Sequence, residues 1–94
     1  MAAVRLLPAA VEDLLRLDTF LRDKSAAAAD RVSRLLERTL GQLARFPNLG
    51  KPLGDHPLYR ELAVPFGARG YLIRYRRVDR DVVVVRVWHA REDR

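Results

Sequence analysis

The stretch FPNLGKPLGDHP, residues 46–57, holds three prolines and two glycines, and the hydrophobic period of the chain changes across it. Proline removes a backbone donor and glycine widens the accessible backbone, so the segment reads as a loop. On its N-terminal side Val32, Leu35, Leu36, Leu40 and Leu43 recur every three or four residues, the spacing of one helix face. That helix begins after Ser25, whose hydroxyl suits an N-cap, passes through "AAAAD", and stops near Phe46 because Pro47 cannot continue it. Further back, Val11, Leu14, Leu15, Leu17 and Leu21 mark an earlier helix over residues 8–23, with Pro8 in its first turn. "DKS" separates the two, which form an antiparallel hairpin behind a short strand candidate, "AVRLL".

On the C-terminal side the period is two. "LYRELAV" (58–64), "YLIRYRR" (71–77) and "VVVVRVWH" (82–89) are rich in branched and aromatic residues and read as strands, joined by "PFGARG" and "VDRD". Helices are thus segregated from most of the strands. The order β-α-α-β-β-β implies an α+β domain: an antiparallel sheet covered on one face by the helical hairpin.

Ninety-four residues suffice for one modest core, so residues 1–94 form a single domain. At 49% hydrophobic and 32% charged the chain has the composition of a folded globular protein. It has no cysteine and only two histidines, His56 and His89, which excludes a disulfide framework, a thiolate site and the usual structural zinc site. No cofactor is expected. No apolar run approaches the ~20 residues of a membrane span, and a cytoplasmic location is expected. Of the 18 cations 16 are arginine, and residues 51–94 carry ten cations against six acids. Arginine pairs bidentately with phosphate and carboxylate, so this half points to a polyanionic or acidic partner, set against simple use of arginine for solubility.

Taken together, "LLPAAVEDLLRL", "FPNLGKPL", "YRELAVP", "YLIRYR" and "VVVVRVWHARED" resemble, in order and spacing over essentially the whole chain, a RelE/ParE-type toxin of a bacterial type II toxin–antitoxin system. The resemblance implies the β-α-α-β-β-β fold, a toxin–antitoxin hetero-oligomer, and a cognate antitoxin whose acidic, amphipathic C-terminal segment wraps the toxin. It also implies one of two targets. RelE-like members cut messenger RNA in the ribosome, whereas ParE-like members poison DNA gyrase without cutting RNA. A non-toxic module that retains antitoxin binding is a third outcome.

Metal-free RNA cleavage needs a base for the 2′-hydroxyl, cations on the phosphate and a proton donor for the leaving oxygen, all on one face. If the chain is a nuclease, the candidates are Arg60, Arg74, His89 and Arg91. Candidates for binding a target or antitoxin are Lys51, Arg60, Arg74, Arg76, His89 and Arg91. A hairpin closed by Asp79 and Arg80 sets Val78 against Asp81, Leu72 against Val87 and Arg74 against Val85. Leu72, Arg74, Arg76 and His89 then share one face, with His89 roughly 13 Å from Arg74 at ~3.3 Å per residue. That is too far for both to serve one phosphate. In RNA-cutting relatives a basic residue tends to follow the aromatic that opens this strand, and here that position is Leu72, which favours the ParE-like branch. Arg60 is equally suited to a structural ion pair, Lys51 to solvent exposure in its loop, and Trp88, facing away from His89, to packing against the helices.

Overall fold

A computed structural model describes residues 3–92. Chain order is β1 (Val4–Leu6), α1 (Pro8–Arg22), α2 (Ala26–Arg45), β2 (Lys51–Pro52), β3 (Tyr59–Phe66), β4 (Arg69–Val78) and β5 (Asp81–His89). Both helices stand where the periodicity puts them. Pro8 opens α1, and the Ser25 hydroxyl accepts from the Ala28 N–H at 3.1 Å to cap α2, which ends before Pro47. Buried Ala10, Asp13 and Leu17 on α1, and Ala29, Val32, Leu36, Thr39 and Leu43 on α2, follow the three-and-four spacing of a helix face turned inward.

The five strands form one sheet in the order β1-β5-β4-β3-β2. The α+β fold with the helical hairpin on the sheet is as expected, and the expected antiparallel sheet is mixed in one respect: β1 runs parallel to β5, with Val4 opposite Val82 and Leu6 opposite Val84. Parallel pairing is available because the helical hairpin and the strands β2 to β4 separate β1 from β5 in the chain, far more than the dozen residues such a connection needs. The proline-rich loop also contributes the two-residue β2, which sets Lys51 against Glu61. Its proline and shortness suit an edge strand.

The face toward the helices carries Val64, Tyr71, Ile73, Tyr75, Val82, Val84 and Val87, which join Leu17, Val32, Leu36 and Leu43 in one core. Fully buried Tyr75 extends the core's reach. Its hydroxyl accepts from the Gly50 N–H and donates to the Pro47 carbonyl, both at 2.8 Å, and so ties the loop before β2 to the sheet. Two tight turns close the meander. Gly67 takes φ +62° between β3 and β4, and Asp79 takes φ +56° between β4 and β5. Gly70 is required at φ +128°, because a Cβ there would lie 2.2 Å from the Val64 carbonyl oxygen.

One irregularity decides how the side chains are shared between the faces. Val78 opposes Asp81 and Tyr75 opposes Val84, as simple alternation requires, but Arg74 opposes Arg86 and Leu72 opposes Trp88. Val85 is thus an extra residue, a bulge, and beyond it every β5 side chain changes face relative to the unbulged register.

Candidate functional site

The sheet face turned away from the helices is built by register. Lys51 of β2, Tyr59 and Glu61 of β3, Leu72, Arg74 and Arg76 of β4, and Arg86 and Trp88 of β5 share it. Three arginines and a lysine therefore lie across four adjacent strands with two aromatics between them. Trp88 is the centre: the Arg74 and Arg86 guanidiniums lie 4.9 and 5.2 Å from its ring, and it is only 7% exposed. Cations over an indole gain from its electron-rich face and shield it from water. Arg76 lies 5.7 Å from the Tyr59 ring, and its Nε is buried with no hydrogen-bond partner among the described residues.

Two carboxylates hold this face in place. Glu61 Oε2 accepts from Arg74 NH2 at 2.7 Å and from Nε at 3.1 Å. Asp13, on α1 and 4% exposed, accepts from Arg86 Nε at 2.7 Å and NH2 at 3.0 Å, and from the Val87 backbone N–H at 2.9 Å. β1 ends opposite Val84, so beyond it the β5 edge has no strand neighbour among the described residues, and Asp13 supplies the acceptor for the Val87 N–H on that edge. Burial pushes the Asp13 carboxyl up, but bonds from Arg86, the Val87 N–H and Arg16 outweigh it and hold the group below the ordinary aspartate range. The same contact orients Arg86 beside Trp88.

The bulge overturns the shared face anticipated for Arg74 and His89. His89 opposes Tyr71 on the helix side, their rings edge to face at 5.3 Å, while Trp88 takes the outer face instead of packing against the helices. The Arg91 N–H donates to His89 Nδ1 at 3.1 Å, which leaves the ring proton on Nε2 when the ring is neutral. Arg60 is on the inner side too, and donates to the carbonyls of Gly50 at 2.6 Å and Asn48 at 3.3 Å; it anchors the loop rather than pairing with an acid. Of the six anticipated binding residues, Lys51, Arg74 and Arg76 come together on the outer face, and Arg60, His89 and Arg91 do not. Arg86 and Tyr59 were missed, and Trp88 was assigned to packing against the helices. His56 packs edge to face with Tyr59 at 6.3 Å. Among the described residues no cluster of three or more histidines and acids is placed to hold a metal ion, and no helix is long and apolar enough to cross a membrane.

A basic face with aromatics between its cations can bind polyanions or an acidic protein surface. The family model for the ParE toxin of the type II toxin–antitoxin system parDE matches residues 4–94. Two proteins of Caulobacter vibrioides are similar over nearly the whole length. Toxin RelE1 is 40% identical over 85 residues, covering 90% of this chain and 89% of that protein, and Toxin RelE3 is 38% identical over 94 residues, covering all of both.

Proposed function

This chain belongs to the family of ParE toxins of type II toxin–antitoxin systems, and we propose that it inhibits growth as a ParE-like toxin acting on DNA gyrase without cutting RNA itself. The observation that carries this reading is the separation of chemistries across the sheet. Arg74, Arg76 and Arg86 are on the outer face, Arg74 and Arg86 paired with Glu61 and Asp13, and His89 is on the inner. Cleavage needs proton transfer within about 3 Å of the reacting oxygens. A guanidinium stays charged at all working pH values and cannot serve as that base. The outer face is thereby suited to binding a large partner through its cationic side chains, with Leu72 at its middle in place of a cation.

The second reading, ribosome-dependent messenger RNA cleavage, is favoured by Lys51, an amine on the outer face that could transfer protons, and by the RelE names of the two relatives. Purified chain incubated with gyrase and supercoiled plasmid separates the two. Linear, protein-linked plasmid accumulates if gyrase is the target. Cut transcripts in a translating extract, with no effect on gyrase, overturn the proposal.

A further inference from the structure

The second helix, α2, sorts its charges by face. At ~100° per residue Arg31, Arg34, Arg38 and Arg45 fall within about 60° of one another, and all four are exposed. Its acids lie elsewhere. Asp30 pairs with Arg22 of α1 at 3.1 Å, and Glu37 lines the cleft between the two helices. Arg31, Arg34 and Arg38 border a groove of about 430 Å³ completed by Leu35 and by Phe66 at the end of β3. The Arg31 guanidinium lies 6.0 Å from the Phe66 ring. None of the four arginines has a carboxylate partner among the described residues, whereas Arg74 and Arg86 on the outer sheet face are paired with Glu61 and Asp13. The line along α2 is therefore positive charge that the fold leaves unneutralised.

We propose that this line of arginines binds the phosphate backbone of duplex DNA without regard to base sequence. The planar guanidinium fork offers paired donors to a phosphate and keeps its charge at all working pH values. From Arg31 to Arg38 the helix rises about 10 Å, over which one strand of a duplex presents about three phosphates at ~3.4 Å of axis each. Arg45 continues the line by about two further turns. The apolar residues of the groove, Leu35 and Phe66, are both half-buried. They offer little of the apolar centre around which a protein interface is built, and no open ring on which an unpaired base could stack. The arginine line is on the helix side of the sheet, and Lys51, Arg74, Arg76 and Arg86 are on the other. One domain can thus meet a protein on one side and DNA on the other. The inference does not depend on gyrase being the target.

The test is fluorescence anisotropy of the whole chain with a labelled duplex of about 20 base pairs and arbitrary sequence, over a series of salt concentrations. Three phosphate contacts predict that log K falls against log salt with a slope of about −2.7. Arg31→Gln, Arg34→Gln and Arg38→Gln combined should weaken binding at low salt by about tenfold or more and bring the slope close to zero; Arg34→Gln alone should reduce it by about 0.9. Glutamine is close to arginine in helix propensity, so the circular dichroism spectrum of these variants should be unchanged. Arg80→Gln removes the same charge at the exposed turn between β4 and β5 and should leave the slope as it is. Equal effects of Arg34→Gln and Arg80→Gln would reduce the binding to net charge and overturn the assignment. A slope retained in the triple variant but lost in Arg74→Gln with Arg86→Gln would move the site to the outer sheet face and overturn it as well. Absence of binding at low salt, or tighter binding to a single strand or an RNA duplex of the same length, would refute duplex DNA as the ligand.

Discussion

Removing the Asp13 carboxylate should cost this domain far more than removing an exposed acid on the same helix. In Asp13→Ala the Val87 N–H, buried beside the end of β1, loses its acceptor at 2.9 Å, and an orphaned buried donor costs about 1–3 kcal/mol. The Arg86 guanidinium is 43% exposed and can return to water, so its share is discounted to about 1 kcal/mol or less. The total is roughly 1–4 kcal/mol, a sizeable part of the ~5–15 kcal/mol that holds a domain folded. At roughly 4–8 °C per kcal/mol for a domain of this size, Tm should fall by about 4–30 °C in thermal melts followed by circular dichroism. Asp13→Asn keeps an acceptor for Val87 and should cost less, about 1–2 kcal/mol. Asp18→Ala, which removes the exposed pair with Arg22, should leave Tm nearly unchanged. Acid dependence gives a second readout. A carboxyl held below its ordinary value stabilises the fold above the unfolded pKa of about 3.9, and that contribution is lost as pH falls through the folded value. The advantage of the native chain over Asp13→Asn should therefore shrink below about pH 4. Equal losses from Asp13→Ala and Asp18→Ala would refute the claim that Asp13 completes the edge of β5.

Three further outcomes are expected. His89→Ala should leave growth inhibition in cells largely intact, whereas Arg74→Ala with Arg86→Ala should abolish it while the chain remains folded by circular dichroism; ribosome-dependent cleavage lost in His89→Ala would reverse the target reading. Tyr75→Phe deprives the buried Gly50 N–H of its acceptor and should cost about 1–3 kcal/mol in urea unfolding, with raised proteolysis of the 46–52 loop. Gly70→Ala should give little soluble protein, since its Cβ would meet the Val64 carbonyl at 2.2 Å in a backbone conformation that alanine rarely adopts.

Both helices were legible because their signals are local: a proline at each relevant end, a serine cap, and apolar residues at helical spacing, all within a few residues of one another. The strands of the meander were legible for the same reason, being bounded by "PFGARG" and "VDRD". What escaped depended on partners remote in sequence. The parallel pairing of Val4–Leu6 with Val82–Val84 joins residues 78 positions apart, and three residues carry no mark of which strand they will meet. The role of Arg60 depends on where two loop carbonyls fall, and that of Asp13 on the length of β1. Asp13 did give one signal: at the three-and-four spacing it falls on the buried face of α1 between Ala10 and Leu17, where an acid requires a buried partner.

The bulge at Val85 was the decisive omission, and its absence from a period-two reading has a physical cause. Val82, Val83, Val84 and Val85 have the same shape and polarity, so sliding one past another alters no local preference, and the run cannot report where its register slips. The signal lies downstream. Unbroken alternation places Arg86 opposite Ile73, in the core, and Val87 on the open face; burying a guanidinium without a partner costs several kcal/mol. Inserting one unpaired residue disturbs the ladder locally, at about 1 kcal/mol for a lost hydrogen bond, and returns Val87 to the core and Arg86 to the surface. The cheaper error wins. It also carries Trp88 outward between Arg74 and Arg86 and carries His89 inward against Tyr71. A single extra valine thereby separates His89 from Arg74 and Arg86, and the case for a binding face over a cleaving one rests on that separation.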